Sequence, residues 1–269
     1  MSSKCSSRAA SPRILHLHFY FLMSHQETYA GLEQVLVLIG RVIAFLLCVV
    51  AFPLHLLIRV AIKISDGGPT MHRCYRLGKS GAEFELLKYR SMRMNVAHHL
   101  SADLKMIVHR RDPRITSLGR WLRCGIDELP QLWNIVRGEM MWIGPRPDPQ
   151  WMLPHYGPRS RWRLSVLSGI TGFAQVLNSR NLPTAEGYAL DIWYLSHFTL
   201  WLNAWIILVT PLFMAGWRSV GEGRLRRLRG NSEFVNLCCE CDVELAHSRE
   251  VLLASVSSET LLPPNTVIC

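Results

Sequence analysis

An apolar run over residues 42–62 limits this chain's folding more than any other feature. Its 21 residues carry only His55 and Arg59 as polar interruptions, which is long enough on paper to span a bilayer. Pro53 sits near the centre. Proline removes a helical hydrogen bond and clashes with the preceding turn, so the helix ends or kinks there. A straight span would also leave Arg59 deep in hydrocarbon, a costly place for a charge. A helix that enters, breaks at Pro53 and returns to the same face avoids that cost, while a single kinked span is the other geometry the pattern admits. Basic residues flank both sides: Lys4, Arg8, Arg13 and Arg41 before, and Lys63, Arg73, Arg76 and Lys79 after. Positive flanks favour the cytoplasm, which suits the returning helix.

A net charge of +10 points to an anionic partner: nucleic acid, acidic headgroups or phosphorylated substrates. Mean hydropathy of +0.13 with nine tryptophans leans towards a membrane surface. The eight cysteines form no paired framework. Cys238, Cys239 and Cys241 cluster without a second pair of ligands beyond a lone His247, so they read as free thiols in a reducing environment. Residues 1–30 loosely copy a secretory signal, but His16 and His18 weaken the apolar stretch and the segment reads as a disordered extension. From about Gly221 sustained periodicity is lost. Residues 221–269 are therefore expected to be a mobile tail, with Arg224, Arg226, Arg227 and Arg229 forming a basic patch for anionic lipid.

Residues 112–147 carry the strongest chemical signal. They place Arg114, Arg120, Arg123, Arg137 and Arg146 around one adjacent acid pair, Asp127-Glu128, and close on the turn Gly144-Pro145-Arg146-Pro147. Guanidinium forks grip phosphate oxygens two at a time, so this composition suits a phosphate-bearing substrate. It does not suit nucleic acid, because the cations surround carboxylates and form no continuous stripe. Pro130 is welcome in a first helical turn and Gly138 suits a helix end, which predicts a short helix over about residues 130–137. Asp127 and Glu128 then lie at its N-terminus, where they act either as cap residues or as chemistry. Upstream, Arg76-Leu77-Gly78-Lys79 and residues 84–92 read as two strands joined by a Lys-Ser-Gly turn. Alternation puts Phe84, Leu86 and Lys88 on one face, either as a surface lysine or as a cation aimed at a site.

The run over residues 112–147, together with Lys88-Tyr89-Arg90-Ser91-Met92 and Ser168-Gly169-Ile170-Thr171-Gly172-Phe173-Ala174-Gln175, resembles the bacterial sugar transferases. These are small monotopic phosphoglycosyl transferases of the undecaprenyl-phosphate sugar-1-phosphate transferase type. The resemblance covers about residues 40–215. It implies an α+β monotopic membrane protein at the cytoplasmic face of the bacterial inner membrane, in which Pro53 breaks a re-entrant helix and Gly68-Pro69 follows it as a turn. It further implies a UDP-sugar donor, a polyprenyl phosphate acceptor and Mg²⁺, with Asp127 as the nucleophile and Glu128 orienting the site or sharing the metal. Lys88, Arg90, Arg114, Arg120, Arg146, Arg180 and Gln175 become substrate- or phosphate-binding residues. Pro130, Gly144, Pro145 and Pro147 shape the site. Asp191, Tyr194 and Thr210 match further family positions. Departures stand at Phe52, at Arg41 (whose usual acid partner is missing), at Gly125-Ile126, at Ser168 and at Asn203.

The expected organisation is an extension over 1–30, a re-entrant helix over 31–66, a compact helical catalytic domain with a small β-hairpin over 67–220, and the tail. Membrane lipids are expected partners, and a homo-oligomer is compatible with the pattern. The competing function is a membrane-bound scaffold of the same fold that has lost turnover, which the departures favour. Retention of Lys88, Asp127, Glu128 and Arg146 favours the enzyme.

Overall fold

The computed structural model describes residues 34–94, 101, 112–177 and 181–256. Expectations for residues 1–30, for Arg180 and for the chain beyond residue 256 lie outside the described residues. Helix α1 (Gln34–Val50) meets helix α2 (Phe52–Asp66) at a bend of 61°. Pro53 stands in the first turn of α2, where its missing N–H costs nothing, so it starts the second helix. Among the described residues no single helix is long and apolar enough to cross a membrane. The bent pair passes that test jointly, as a broken span or a re-entrant loop.

Both polar interruptions of the apolar run bond to the protein beyond the helix, His55 half-buried and Arg59 exposed. His55 Nδ1 hydrogen-bonds the Tyr89 hydroxyl, and Arg59 Nε donates to Thr70 Oγ1 at 3.3 Å. They share one helix face with buried Ile58 and Ile62, which pack with Tyr89 and Leu122. The remaining surface of α2 leaves Phe52, Leu54, Leu56, Leu57, Val60 and Ile64 exposed. Gly67 closes the helix in the left-handed region (φ 72°), donating its N–H to Lys63 O at 2.9 Å. Gly68-Pro69 then leads into the first strand.

Strand β1 (Met71–Leu77) pairs antiparallel with β2 (Glu83–Tyr89), with Cys74 opposite Leu86. The Lys79–Gly81 turn joins them, so the expected hairpin is present and its first strand begins earlier than the sequence implies. Helix α3 (Ser117–Leu122) is capped by Thr116, whose hydroxyl accepts from Gly119 N at 2.8 Å. Helix α4 (Gln131–Arg137) follows Pro130 and ends at Gly138, matching the sequence expectation. Strands β3 (Met140–Ile143) and β4 (Ser168–Thr171) form a second, parallel pair. Their approach is so close that a Cβ on Gly169 would lie 2.1 Å from Gly144 N. Helices α5 (Phe173–Val176), α6 (Thr184–Ser196) and α7 (Leu200–Met214) build the main core around Phe173, Leu190, Tyr194 and Ile206. The architecture is mixed α and β, and mostly helical.

Trp193, Tyr194 and Trp205 gather round Phe173, while Trp201 and Leu208 stay exposed on α7. One expectation changes. The tail is ordered over α8 (Glu222–Arg229) and α9 (Ser232–Val256). Arg229 grips Glu186 with two bonds, 2.7 and 3.0 Å. Phe234, Cys241 and Leu245 are buried in the main core, with Leu237 and Cys238 packed beside them. That stripe follows helical spacing, but two of its five members are cysteines, which act as small apolar groups once buried and hide the period.

Candidate active site

The acid pair sits on the single turn Ile126–Glu128, just ahead of α4. Gly125 opens that turn at φ 117°, and a Cβ there would fall 1.7 Å from the Met214 methyl, so the departure from the family pattern meets a local demand. Asp127 is 3 % exposed. Strand β2 aims Lys88 at the pair, with Nζ 2.9 Å from Asp127 Oδ2 and 3.2 Å from Glu128 Oε1. The loop after β3 brings Arg146, whose Nη2 lies 2.8 Å from the same Glu128 oxygen. Glu128 raises the Arg146 pKa, outweighing burial, so the guanidinium stays charged. Buried Asn134 of α4 fixes the strand that carries Lys88: it accepts from Leu87 N at 3.1 Å and donates to Glu85 O at 2.7 Å. The result is a closed cluster of two carboxylates and two cations assembled from three segments distant in sequence.

Behind Arg146 lies a buried network that the sequence did not reveal. Arg163, 5 % exposed, donates to Arg146 O at 3.0 Å, to Asp191 Oδ2 at 2.8 Å and to the Tyr156 hydroxyl at 2.7 Å. It also pairs with Asp148, whose Oδ2 accepts from Tyr156 at 2.6 Å and Tyr188 at 2.8 Å. Burial alone would raise the Asp148 pKa, but Arg163 and the hydrogen bonds to Tyr156, Arg163 and Tyr188 hold it below the usual carboxylate value. For Asp191 burial wins over Arg163, and its pKa is pushed up to about 6. Arg163 sits in no recognisable motif. An Arg whose partners lie 15 and 28 residues away leaves no local signal.

The other expected site residues divide. Arg90 bonds Asp66 and donates to Pro69 O at 2.6 Å, tying the end of α2 to the hairpin. Gly68 leaves room for it, since a Cβ would come within 2.8 Å of that guanidinium. Arg114 binds Asp112 through Nε at 2.9 Å and Nη2 at 2.6 Å. Arg120 is exposed on α3, and Arg137 reaches Glu139 at 3.5 Å. Gln175 donates to Ile170 O at 3.3 Å, and its Oε1 is buried without a partner among the described residues. Gly144 and Pro145 serve the backbone junction: Gly144 N donates to Thr171 O at 2.9 Å, and Gly169 N to Pro145 O at 3.0 Å. Pro147 is buried beside them. The departures elsewhere are locally satisfied. Asn203 Oδ1 accepts from the Tyr194 hydroxyl at 2.7 Å, and Ser168 Oγ donates to Leu77 O at 3.3 Å. Thr210 meets Thr171 at 2.8 Å.

An apolar cavity of about 290 Å³ adjoins Glu128 and reaches the α1–α2 bend, lined by Leu47, Val50, Ala51, Leu132 and Met214. Chemically, the assembly offers a buried carboxylate, two flanking cations and an adjoining apolar cavity.

The family model described as bacterial sugar transferase matches residues 33–216. The chain is similar to the galactosyl transferase CpsE of Streptococcus agalactiae, 32% identical over 204 residues, covering 71% of this chain and 44% of that protein. It is also similar to the undecaprenyl-phosphate glucose phosphotransferase of Komagataeibacter xylinus, 37% identical over 181 residues (61% of this chain, 33% of that protein). A UDP-glucose:undecaprenyl-phosphate glucose-1-phosphate transferase of Caulobacter vibrioides is 38% identical over 180 residues, covering 63% of this chain and 65% of that protein. The chain thus spans less than two thirds of the length of each of these relatives. With a family match across more than half of its length, and with that match enclosing the acid pair, Lys88 and Arg146, the chain belongs to the bacterial sugar transferase family.

Proposed function

We propose that this protein transfers a sugar-1-phosphate from a UDP-sugar to polyprenyl (undecaprenyl) phosphate at the cytoplasmic face of a bacterial cell membrane, releasing UMP. The observation that carries this reading is the Asp127-Glu128 pair, held by Lys88 within 3.2 Å and by Arg146 at 2.8 Å. The relatives' names, which specify undecaprenyl phosphate and UDP-glucose, support the substrate classes.

In this mechanism a carboxylate oxygen of Asp127 attacks the phosphorus that bears the sugar. The bond from that phosphorus to the bridging oxygen breaks, and UMP leaves with the electron pair. A terminal oxygen of polyprenyl phosphate then attacks the same phosphorus, forming the lipid diphosphate sugar and returning Asp127 as a carboxylate. Lys88 balances the two acids and orients Asp127 Oδ2. Arg146 supplies positive charge where negative charge gathers in the transition state. The paired carboxylates are hard oxygen donors of the kind Mg²⁺ prefers beside a phosphate substrate. Asp127 and Glu128 would hold the ion, and its chemistry there is neutralisation of the diphosphate charge.

The bent α1–α2 pair is a re-entrant anchor in this reading, its exposed apolar residues lying in one leaflet while His55 and Arg59 bond to the protein beyond the helix. The cavity from the bend to Glu128 suits the first isoprene units of the acceptor. The test uses membranes containing the full chain, a panel of UDP-sugars and UMP as the readout. Asp127→Asn should fall to background, and wild-type protein given donor alone should gain the mass of a sugar phosphate at Asp127. Glu128→Gln should slow turnover yet keep the labelled oxygen. Undiminished UMP release in both variants would sink the carboxylate mechanism.

A further inference from the structure

Helix α9 lies outside the matched residues 33–216, yet it reaches the back of the catalytic cluster. Glu244 is the contact. Its Oε1 accepts from Arg159 N at 2.7 Å, and its Oε2 accepts from Ser160 N at 3.0 Å and from Ser160 Oγ at 2.7 Å. Those two amides open the short 3₁₀ helix Ser160–Ser165, whose first N–H groups have no intrahelical partner. One turn back along α9, Glu240 binds Arg159 Nε at 2.8 Å. Gly157 makes space for the carboxylate, because a Cβ there would lie 2.4 Å from Glu244 Cδ. Ser160 is fully buried, so the bonds to it are shielded from water.

The turn held this way carries Arg163, whose guanidinium grips the carbonyl of Arg146 at 3.0 Å and the buried Asp148 and Asp191. Arg146 in turn holds Glu128 at 2.8 Å. A continuous set of charge-assisted bonds therefore runs from α9 through one short turn to the backbone of an active-site cation. We propose that Glu244 is a positioning residue: α9 fixes the Ser160–Ser165 turn so that Arg163 sets Arg146 at the height the donor diphosphate requires. The proposal rests on the transferase reading for its kinetic half and on geometry alone for its mechanical half.

Both halves are testable in the full-length, membrane-embedded protein with Glu244→Ala and the milder Glu244→Gln. Hydrogen exchange at the Arg159 and Ser160 amides should quicken at least about tenfold in Glu244→Ala, which loses both acceptor oxygens, and less in Glu244→Gln, which keeps one neutral acceptor. KM for the UDP-sugar should rise roughly tenfold, because small displacements of a substrate-binding group are costly. Glu244→Asp should show the same rise in KM, as the shorter arm does not reach both amides. A purely structural role predicts fewer active molecules at unchanged KM, measured against the fraction that labels with sugar phosphate, and that result would overturn the proposal. Unchanged exchange would overturn it as well. Should Glu244→Ala not fold, the Glu244→Gln protein decides by the same two readouts. Wild-type protein that releases no UMP from any donor refutes the transferase reading instead. Exchange then judges the clamp: faster amides keep the mechanical half, and unchanged amides overturn it.

Discussion

Lys88→Met probes the heart of the cluster, keeping a flexible stem of similar length while removing the charge. In the native protein Nζ stands 2.9 Å from Asp127 and 3.2 Å from Glu128. At an effective dielectric of about 20, each contact is worth roughly 5 kcal/mol of gross Coulomb energy. Desolvation of the three ions offsets most of it, so the net loss is smaller. Removing one partner of a buried pair costs roughly 3–5 kcal/mol. Because the Lys88 side chain is 23% exposed, the lower end applies, about 3 kcal/mol. Equilibrium denaturation of wild type, Lys88→Met, Asp127→Asn and the double variant separates charge from packing. If Lys88 stabilises chiefly by offsetting Asp127, its removal costs at least ~1 kcal/mol less once Asp127 is already Asn. UMP release by Lys88→Met should fall by at least ~100-fold. Costs that simply add, with a coupling below about 0.5 kcal/mol, would refute the electrostatic account and leave Lys88 as a packing residue.

Three further outcomes are expected. Gly169→Ala places a Cβ 2.1 Å from Gly144 N and 2.4 Å from Thr171 O, both backbone atoms that cannot swing aside, so it should cost about 3 kcal/mol or abolish folding; a denaturation midpoint near wild type contradicts this. Asp191, with its pKa raised to about 6, holds its proton more tightly folded than unfolded. Its contribution is therefore greatest at low pH and declines as pH rises from about 4 to about 6, by at most about 3 kcal/mol, and Asp191→Asn should remove that decline. Parallel stability curves for the two proteins between those pH values would count against it. For the anchor, single cysteines at Gln34 and Lys79 in an otherwise cysteine-free chain should both label from the cytoplasmic side; labelling from opposite sides means a true span.

Much of this molecule is local and therefore legible in the chain itself. Pro53 ends one helix and begins another because a proline lacks the donor that a continuous helix needs. Pro130 and Gly138 bound α4 for equally local reasons, and the Lys-Ser-Gly turn marks the hairpin. Asp127, Glu128, Lys88 and Arg146 stand out by residue type and by resemblance, and the fold brings these four together. Tertiary structure decided the rest. Which arginines meet the acids is a matter of three-dimensional proximity, and Arg90, close to Lys88 in sequence, is claimed by Asp66 instead. Arg163, Asn134 and Glu244 act through partners 15 to 85 residues away, where no spacing rule operates. Helix α9 escaped notice because cysteines fill part of its buried stripe, and only packing against α6 reveals them as apolar. Sequence periodicity reports a residue's neighbours along the chain. Burial and ion pairing are properties of neighbours in space, and those exist only once the chain has folded.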